Sequence, residues 1–444
     1  MSYIPNSRKV RSQMLADIGI NDFEELIKSV PASLRLNRPL DLPPALSEIE
    51  LENEMAQLSE KNLNSKSIFA GGGSYDHFSP SAIDQLLLRP EFFTAYTPYQ
   101  AEVAQGTLQA IYEFQTFISR LTGLAVSNAS MYDGATSLAE AIMMSMHQTG
   151  RNHILISQGV NPNYIDTVRS YLSGLECKID EIAISEGVTD FDNFKNKLSL
   201  RTAAVVIQSP SFLGLLEKTK DFVAEIREMG ALFISIYDPI SLGILAPPGE
   251  IGADIAVAEG QSLGLPLNYG GPYLGLLSCK KDFIRKIPGR LSGRTKDKNG
   301  NPGFVLTLQT REQHIKRDRA TSNICTNQAL CALAATIYMS LMGKSGLTKI
   351  GNLCFSKSHY AVKKITEIPG FSLKFKGPFF KEFVLQTPIS PTRIIDRLLK
   401  KGIIAGIDLA QFKLGLKGCM MIAVTEKRSK EQIDNLVYEL SRVE

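Results

Sequence analysis

Residues 231–264 read ALFISIYDPISLGILAPPGEIGADIAVAEGQSLG, and this stretch decides the fold. It holds two apolar runs of strand length, Ala231–Tyr237 and Asp254–Ala258. Each runs into a polar turn, Asp238-Pro239 in the first case and Glu259-Gly260-Gln261-Ser262 in the second. Comparable runs recur at His153–Ser157, Cys177–Ile184, Ala203–Gln208 and Tyr273–Cys279. Amphipathic stretches such as Asn161–Leu172 and Lys220–Met229 separate several of them. Short apolar strands alternating with helices predict an α/β fold whose mostly parallel sheet is covered on both faces.

On the N-terminal side, Leu108, Ile111, Phe114, Ile118 and Leu121 recur at helical spacing, and Gly123 supplies a left-handed cap. The first 66 residues instead predict a charged helical segment with no strand pattern. Asn21 is expected to cap a helix over NDFEELIKS that Pro31 stops, and Ser47-x-x-Glu50 to open another as a capping box. So little apolar surface cannot make a core, so this segment is expected to lie across something else. On the C-terminal side, the apolar run Ala329–Met342 falls short of the ~18–20 residues that span a bilayer and reads as a buried helix. Strands at Phe380–Gln386, Ile403–Ile407 and Cys419–Val424, with helices at Pro391–Lys400 and Lys430–Leu440, predict a small α+β domain. The expected organisation is a helical segment over 1–66, a large α/β domain over 67–328 and a small α+β domain over 329–444. Within it, Pro288–Gly303 (PGRLSGRTKDKNGNPG) reads as a surface loop or as a lid near a site.

Composition narrows the function classes. The chain has 444 residues, 44% hydrophobic and 21% charged, and its net charge of +4 is too small to signal nucleic acid. Five scattered histidines predict no metal site. Six cysteines without a C-x-x-C pair read as reduced thiols of a cytoplasmic protein, and no apolar run follows the basic N-terminus as a signal peptide requires. Neither a membrane nor a nucleic-acid partner is expected.

Three places bear on chemistry. Asp238 ends a strand, where an α/β sheet binds ligands, and its carboxylate could hold a protonated ring nitrogen or merely start a turn. The turn after Asp254–Ala258 is where an aminotransferase-type fold carries the lysine that makes an imine with pyridoxal phosphate. No lysine occurs from Asp254 to Cys279, and the Ser262 hydroxyl cannot form an imine. Lys280 and Lys281 follow the next strand and read as solvated charges. The turn SNASMYDGATS (Ser127–Ser137) opens a helix and resembles an anion cradle, but Asp133 would cap that helix and repel a phosphate.

Longer stretches carry a resemblance. YTPYQAEVAQGTLQAIYEFQTFISRLTGL (Tyr96–Leu124), SNASMYDGAT and RATSNICTNQAL (Arg319–Leu330) are similar to the P-protein of the glycine cleavage system, as are the N-terminal IGINDFEELIKSVP and LSEIELENEMAQLSEKN. The resemblance implies the aspartate-aminotransferase-like fold of pyridoxal-phosphate enzymes. It also implies subunit 1, the alpha subunit, of a two-chain glycine dehydrogenase (decarboxylating). In the other half of that family a strand ends in His-Lys, and by residue count those positions fall on Gln261 and Ser262. A lysine-less chain implies that subunit 2 holds the pyridoxal phosphate, and that this chain has no catalytic residue of its own and is inactive alone. The complex would decarboxylate glycine and pass the aminomethyl group to the lipoyl arm of the H-protein. NAD serves another component, in keeping with the absence of G-x-G-x-x-G here.

In that fold, sites form between two chains. Tyr96, Tyr99, Tyr75 and His77 are expected either to line the substrate pocket or, for the first two, to pack at the interface. Thr321, Ser322 and Asn323 would touch the partner's cofactor or simply cap a helix. The alternatives are a stand-alone pyridoxal-phosphate enzyme using an unexpected lysine, and a purely scaffolding subunit.

Overall fold

In a computed structural model of the chain, residues 6–63, 65 and 67–443 are described. The chain divides into two compact units, Met1–Leu63 and Asn64–Glu444. In the first, three helices cover Arg8–Ile18, Phe23–Leu26 and Glu48–Glu60, and none of their residues is buried within this chain. Ser47 and Glu50 form the expected capping box. The second helix is shorter than expected and its cap is Asp22 rather than Asn21: Asp22 Oδ1 accepts from Glu25 N at 2.9 Å, while the Asn21 N–H donates to the Glu25 carboxylate.

The second unit is built on a seven-stranded sheet. From one edge to the other run Val126–Ser127, Gly275–Cys279, Ile255–Glu259, Leu232–Tyr237, Thr202–Ser209, His153–Ser157 and Lys178–Ile182. The last five are mutually parallel, and Gly275–Cys279 and Val126–Ser127 are antiparallel to their neighbours. The α/β expectation therefore holds, and the central strands are buried on both faces, as their continuous apolar sequences require. The helix Gln105–Thr122 buries Leu108, Ile111, Phe114 and Ile118 and ends on Gly123 at φ 68°.

The C-terminal residues form a four-stranded antiparallel sheet in the order Ser372–Leu373, Glu382–Gln386, Cys419–Ala423, Ile407–Asp408. Helices Pro391–Leu399 and Lys430–Leu440 accompany it, the latter opened by a Ser429–Gln432 capping box. The apolar run after 329 starts a helix that continues to Ile365 but breaks at Gly343 (φ 57°, ψ −172°). It buries Ala332, Ala335, Thr336, Tyr338 and Met339.

Two further features differ from expectation. Ser67–Ile68 pairs in parallel with Ile403–Ile404, so the first strand after the N-terminal unit belongs to the C-terminal layer. The loop expected at Pro288–Gly303 is largely a hairpin, with Leu291–Lys296 antiparallel to Pro302–Thr307. Asp297 Oδ1 closes its turn by accepting from Asn299 N and Asn301 N, each at 2.8 Å. Gln105 then pins the second arm through both the N–H and the carbonyl of Phe304.

Candidate functional site

Where Leu232–Tyr237 and Ile255–Glu259 end, a cavity of about 40 Å³ is lined by Tyr75, Asp238, Glu259, Ser262 and Lys381 among others. Such a space holds a few waters at most. Asp238 stands at the strand end foreseen from sequence. Its Oδ1 accepts from Ile240 N at 2.9 Å, and its Oδ2 lies 2.6 Å from the ammonium of Lys381.

Lys381 is 1% exposed. A buried ammonium persists only where charge and hydrogen bonding compensate its lost hydration. Here Asp238 supplies the charge, the Tyr75 ring lies 3.5 Å below, and His77 Nε2 is 2.9 Å away. Burial, then the charge of Lys381, pushes the His77 imidazole down, so it stays neutral. Its Nε2 accepts from Lys381 while its Nδ1–H donates to Glu426 Oε2 at 2.6 Å. Burial alone would raise the Glu426 carboxyl, but His77 and the N–H of Phe78 hold it well below the usual range. Next to them, Tyr75 Oη donates to Glu382 Oε2 and Gly72 N to Glu382 Oε1, both at 2.7 Å. Burial pushes the Glu382 carboxyl up to about 7.

Among the described residues, His77, Cys354 and Glu426 bring possible ligand atoms within 4.8 Å of one another. Scattered in sequence, they gave no hint of this. Both imidazole nitrogens are nevertheless committed, one to Glu426 and one to Lys381, which makes the trio a hydrogen-bonded cluster.

Through Glu259 the cavity lining reaches the N-terminus of the helix Gly134–Thr149. Asp133 caps it as expected: Oδ1 accepts from Thr136 N at 2.8 Å and Thr136 Oγ1 accepts from Asp133 N at 3.1 Å. The Gly134 N–H is also taken, donating to Glu259 Oε2 at 3.0 Å. The other Glu259 oxygen accepts from Gln261 N and Leu274 N, each at 3.0 Å. Burial pushes the Glu259 carboxyl up to about 8. Packing is close here, since a Cβ on Gly134 would stand 2.3 Å from Tyr164 Oη. Gln261 is buried and holds the backbone of Tyr75 at both its N–H (3.0 Å) and its carbonyl (3.1 Å). Ser262 lines the cavity. Of the other lysines considered, Lys280 is not free in solvent but ion-paired to Asp254 at 2.5 Å, and Lys281 is exposed.

The remaining expected residues lie elsewhere. Tyr96 is 84% exposed and borders a separate groove with Phe92, Ile111 and Leu333. Tyr99 is 63% exposed, its ring 5.8 Å from the Arg290 guanidinium. Thr321, Ser322 and Asn323 sit in a loop ahead of the helix that begins at Ala329, whose cap position is Gln328, so they do not cap it. Ser322 turns inward: its Oγ accepts from Ile324 N at 3.1 Å and bonds to Glu140, whose carboxyl burial pushes up to about 7. The structure thus unites Tyr75, His77, Asp238 and Ser262. It adds Lys381, Glu382, Glu259 and Glu426, which the sequence reading missed. The one available signal was a charged pair, Lys381-Glu382, interrupting the otherwise apolar run PFFKEFVL.

Over residues 1–440 the sequence matches the family described as "Glycine cleavage system P-protein". The chain belongs to that family. It is 50% identical, across the full length of both chains, to the probable glycine dehydrogenase (decarboxylating) subunit 1 of Chloroherpeton thalassium. To the protein of the same name from Desulfitobacterium hafniense it is 48% identical, again with full coverage of both. A crystal structure of glycine decarboxylase (P-protein) of the glycine cleavage system, in inhibitor-bound form, superposes with a TM-score of 0.91 at 40% identity, covering 99% of each chain. An alanine–glyoxylate aminotransferase from Nostoc sp., at 16% identity and TM-score 0.59, shares the fold over 92% of this chain and 97% of its own.

The family is pyridoxal-phosphate dependent, but the residues of this chain do not fit that cofactor. An ammonium already sits on Asp238, and at the helix N-terminus the Gly134 and Thr136 N–H groups are bonded to the Glu259 and Asp133 carboxylates, which would repel a phosphate. Ser262 and Gln261 stand at the turn where a lysine would close an imine.

Proposed function

We propose that this chain is the non-cofactor-carrying subunit of a heteromeric glycine decarboxylase. Its partner, subunit 2, would carry the pyridoxal phosphate, and the lipoyl arm of an H-protein would receive the aminomethyl group in the cytoplasm. The observation that carries this reading is the pairing of Lys381 with Asp238 beside a serine at the lysine position. The exposed aromatic residues Tyr96, Tyr99 and Tyr269 support a surface that faces another chain. There, Tyr96, Tyr99 and the loop Thr321–Asn323 would contribute to a site completed by the partner.

The reading as a stand-alone enzyme with an unexpected lysine has a specific candidate in Lys381, the lysine that lines the cavity. Chemistry argues against it. In the cofactor the ring nitrogen and the aldehyde-bearing carbon lie across the ring from each other, and Lys381 sits at the nitrogen end.

The test is reconstitution. The chain alone should release no carbon dioxide from glycine, and mixing it with a second chain bearing His-Lys at the matching strand end should restore turnover with H-protein. Activity of this chain alone overturns the proposal. In the assembled complex, Thr321→Ala and Tyr96→Ala should each lower turnover; unchanged turnover with intact assembly would leave only a scaffold.

A further inference from the structure

The geometry points to Lys381 as the residue that keeps pyridoxal phosphate out of this chain, its ammonium holding the seat on Asp238 that a protonated ring nitrogen would take. This rests on the division of labour proposed above and adds the residue that enforces it.

Three observations carry the inference. The first is chemical equivalence. A pyridinium N–H and an ammonium each bring one positive charge and a hydrogen-bond donor to a carboxylate, and Asp238 Oδ2 already receives one from Lys381 at 2.6 Å. Asp238 Oδ1 is engaged by Ile240 N, so each oxygen of the carboxylate already holds a donor and the cation it faces is Lys381. The second is space. With the lysine stem in place and the Tyr75 ring 3.5 Å from its ammonium, about 40 Å³ remains, against the roughly 300 Å³ or more of an ordinary ligand pocket. The third is origin. Lys381 comes from the head of the C-terminal strand Glu382–Gln386, and its flanks are tied to the 71–78 segment through Glu382 and, by way of His77, Glu426. The plug is therefore delivered by the four-stranded C-terminal sheet and held by the bonds of that sheet to the 71–78 segment. A missing imine lysine alone would leave a cavity able to hold the ring; Lys381 removes that option.

The test uses the assembled two-subunit complex with the partner's cofactor in place. Titrated calorimetrically with 3-hydroxypyridine, which reproduces the nitrogen end of the ring, the Lys381→Ala complex should bind at least tenfold more tightly than the unaltered one. Phenol, the same shape without the nitrogen, should show no such gain, and Lys381→Ala/Asp238→Asn should lose it. Equal gain for phenol, or no gain for 3-hydroxypyridine, overturns the inference while leaving the subunit assignment standing. Should Lys381→Ala not assemble, the unaltered complex decides. After saturation with pyridoxal phosphate and removal of the free cofactor, one equivalent should remain per pair of subunits and borohydride should fix it to the partner, whereas a second equivalent that borohydride does not fix would overturn the inference alone. Label on Lys381 overturns the inference and the subunit assignment together.

Discussion

Glu140 lies on the buried helix Gly134–Thr149 with Oε2 unpartnered, and burial pushes its carboxyl from 4.5 up to about 7, against a bond from Ser322. In the unfolded chain it loses its proton near 4.5, so between there and about pH 7 the folded state holds a proton that the unfolded state has lost. Stability from this group is full below pH 4.5 and falls as pH rises through 7. At about 1.4 kcal/mol per pKa unit the loss has a ceiling of about 3 kcal/mol. Glu140→Gln should flatten this part of the pH dependence and raise the unfolding midpoint at pH 8 relative to pH 5, measured by thermal denaturation. A variant no more stable than the parent at pH 8 would contradict this. Glu217, Glu259 and Glu382 are raised mainly by burial too, and act in the same direction.

At the level of elements, the N-terminus of Gly134–Thr149 combines a cap with a close contact. Asp133→Ala removes the cap and should cost about 1 kcal/mol. Gly134→Ala drives a methyl toward Tyr164 Oη, the nearest atom at 2.3 Å, and should cost more, about 1–3 kcal/mol. Adding Tyr164→Phe should recover part of that loss in denaturant titrations, because it removes the nearest of the clashing atoms. Sequence alone disclosed this cap, since Asp-Gly ahead of an apolar helix has a local cause. It also disclosed the strands, whose apolar runs are continuous. The Leu291–Thr307 hairpin escaped because its turn, KDKNGN, and its Gly- and Arg-rich arms share the composition of a loop; Gln105 and Gln115, nearly two hundred residues away in the chain, hold the arms. Lys381 escaped for a related reason. Nothing within its own strand tells that its ammonium will meet a carboxylate at the end of a strand in another sheet, whereas the missing lysine at Ser262 was legible from a single strand end.

For the molecule as a whole, the segment after the C-terminal strand Cys419–Ala423 is fastened to the 71–78 segment by charges centred on Asp76. Asp76 receives Arg428 at 2.5 Å and Lys427 at 2.6 Å, and its carbonyl accepts from Thr425 Oγ1 at 2.8 Å. The Arg428 side chain is 3% exposed, so Asp76→Asn strands a buried guanidinium and should cost about 3–5 kcal/mol. Hydrogen exchange should quicken along Glu382–Gln386 and Cys419–Ala423 while the central strand Thr202–Ser209 keeps its protection. Uniform loss of protection would show instead that the two sheets unfold as one.

The lysine plug also bears on vitamin supply. A protein that binds a dissolved ligand only when folded gains stability as that ligand's concentration rises. Lys381 is part of the chain, always present at its site and at fixed stoichiometry. Its contribution cannot be diluted or competed away. The unfolding midpoint of this subunit should therefore not move as pyridoxal phosphate is added or withheld, and a cell short of vitamin B6 would accumulate it in folded form.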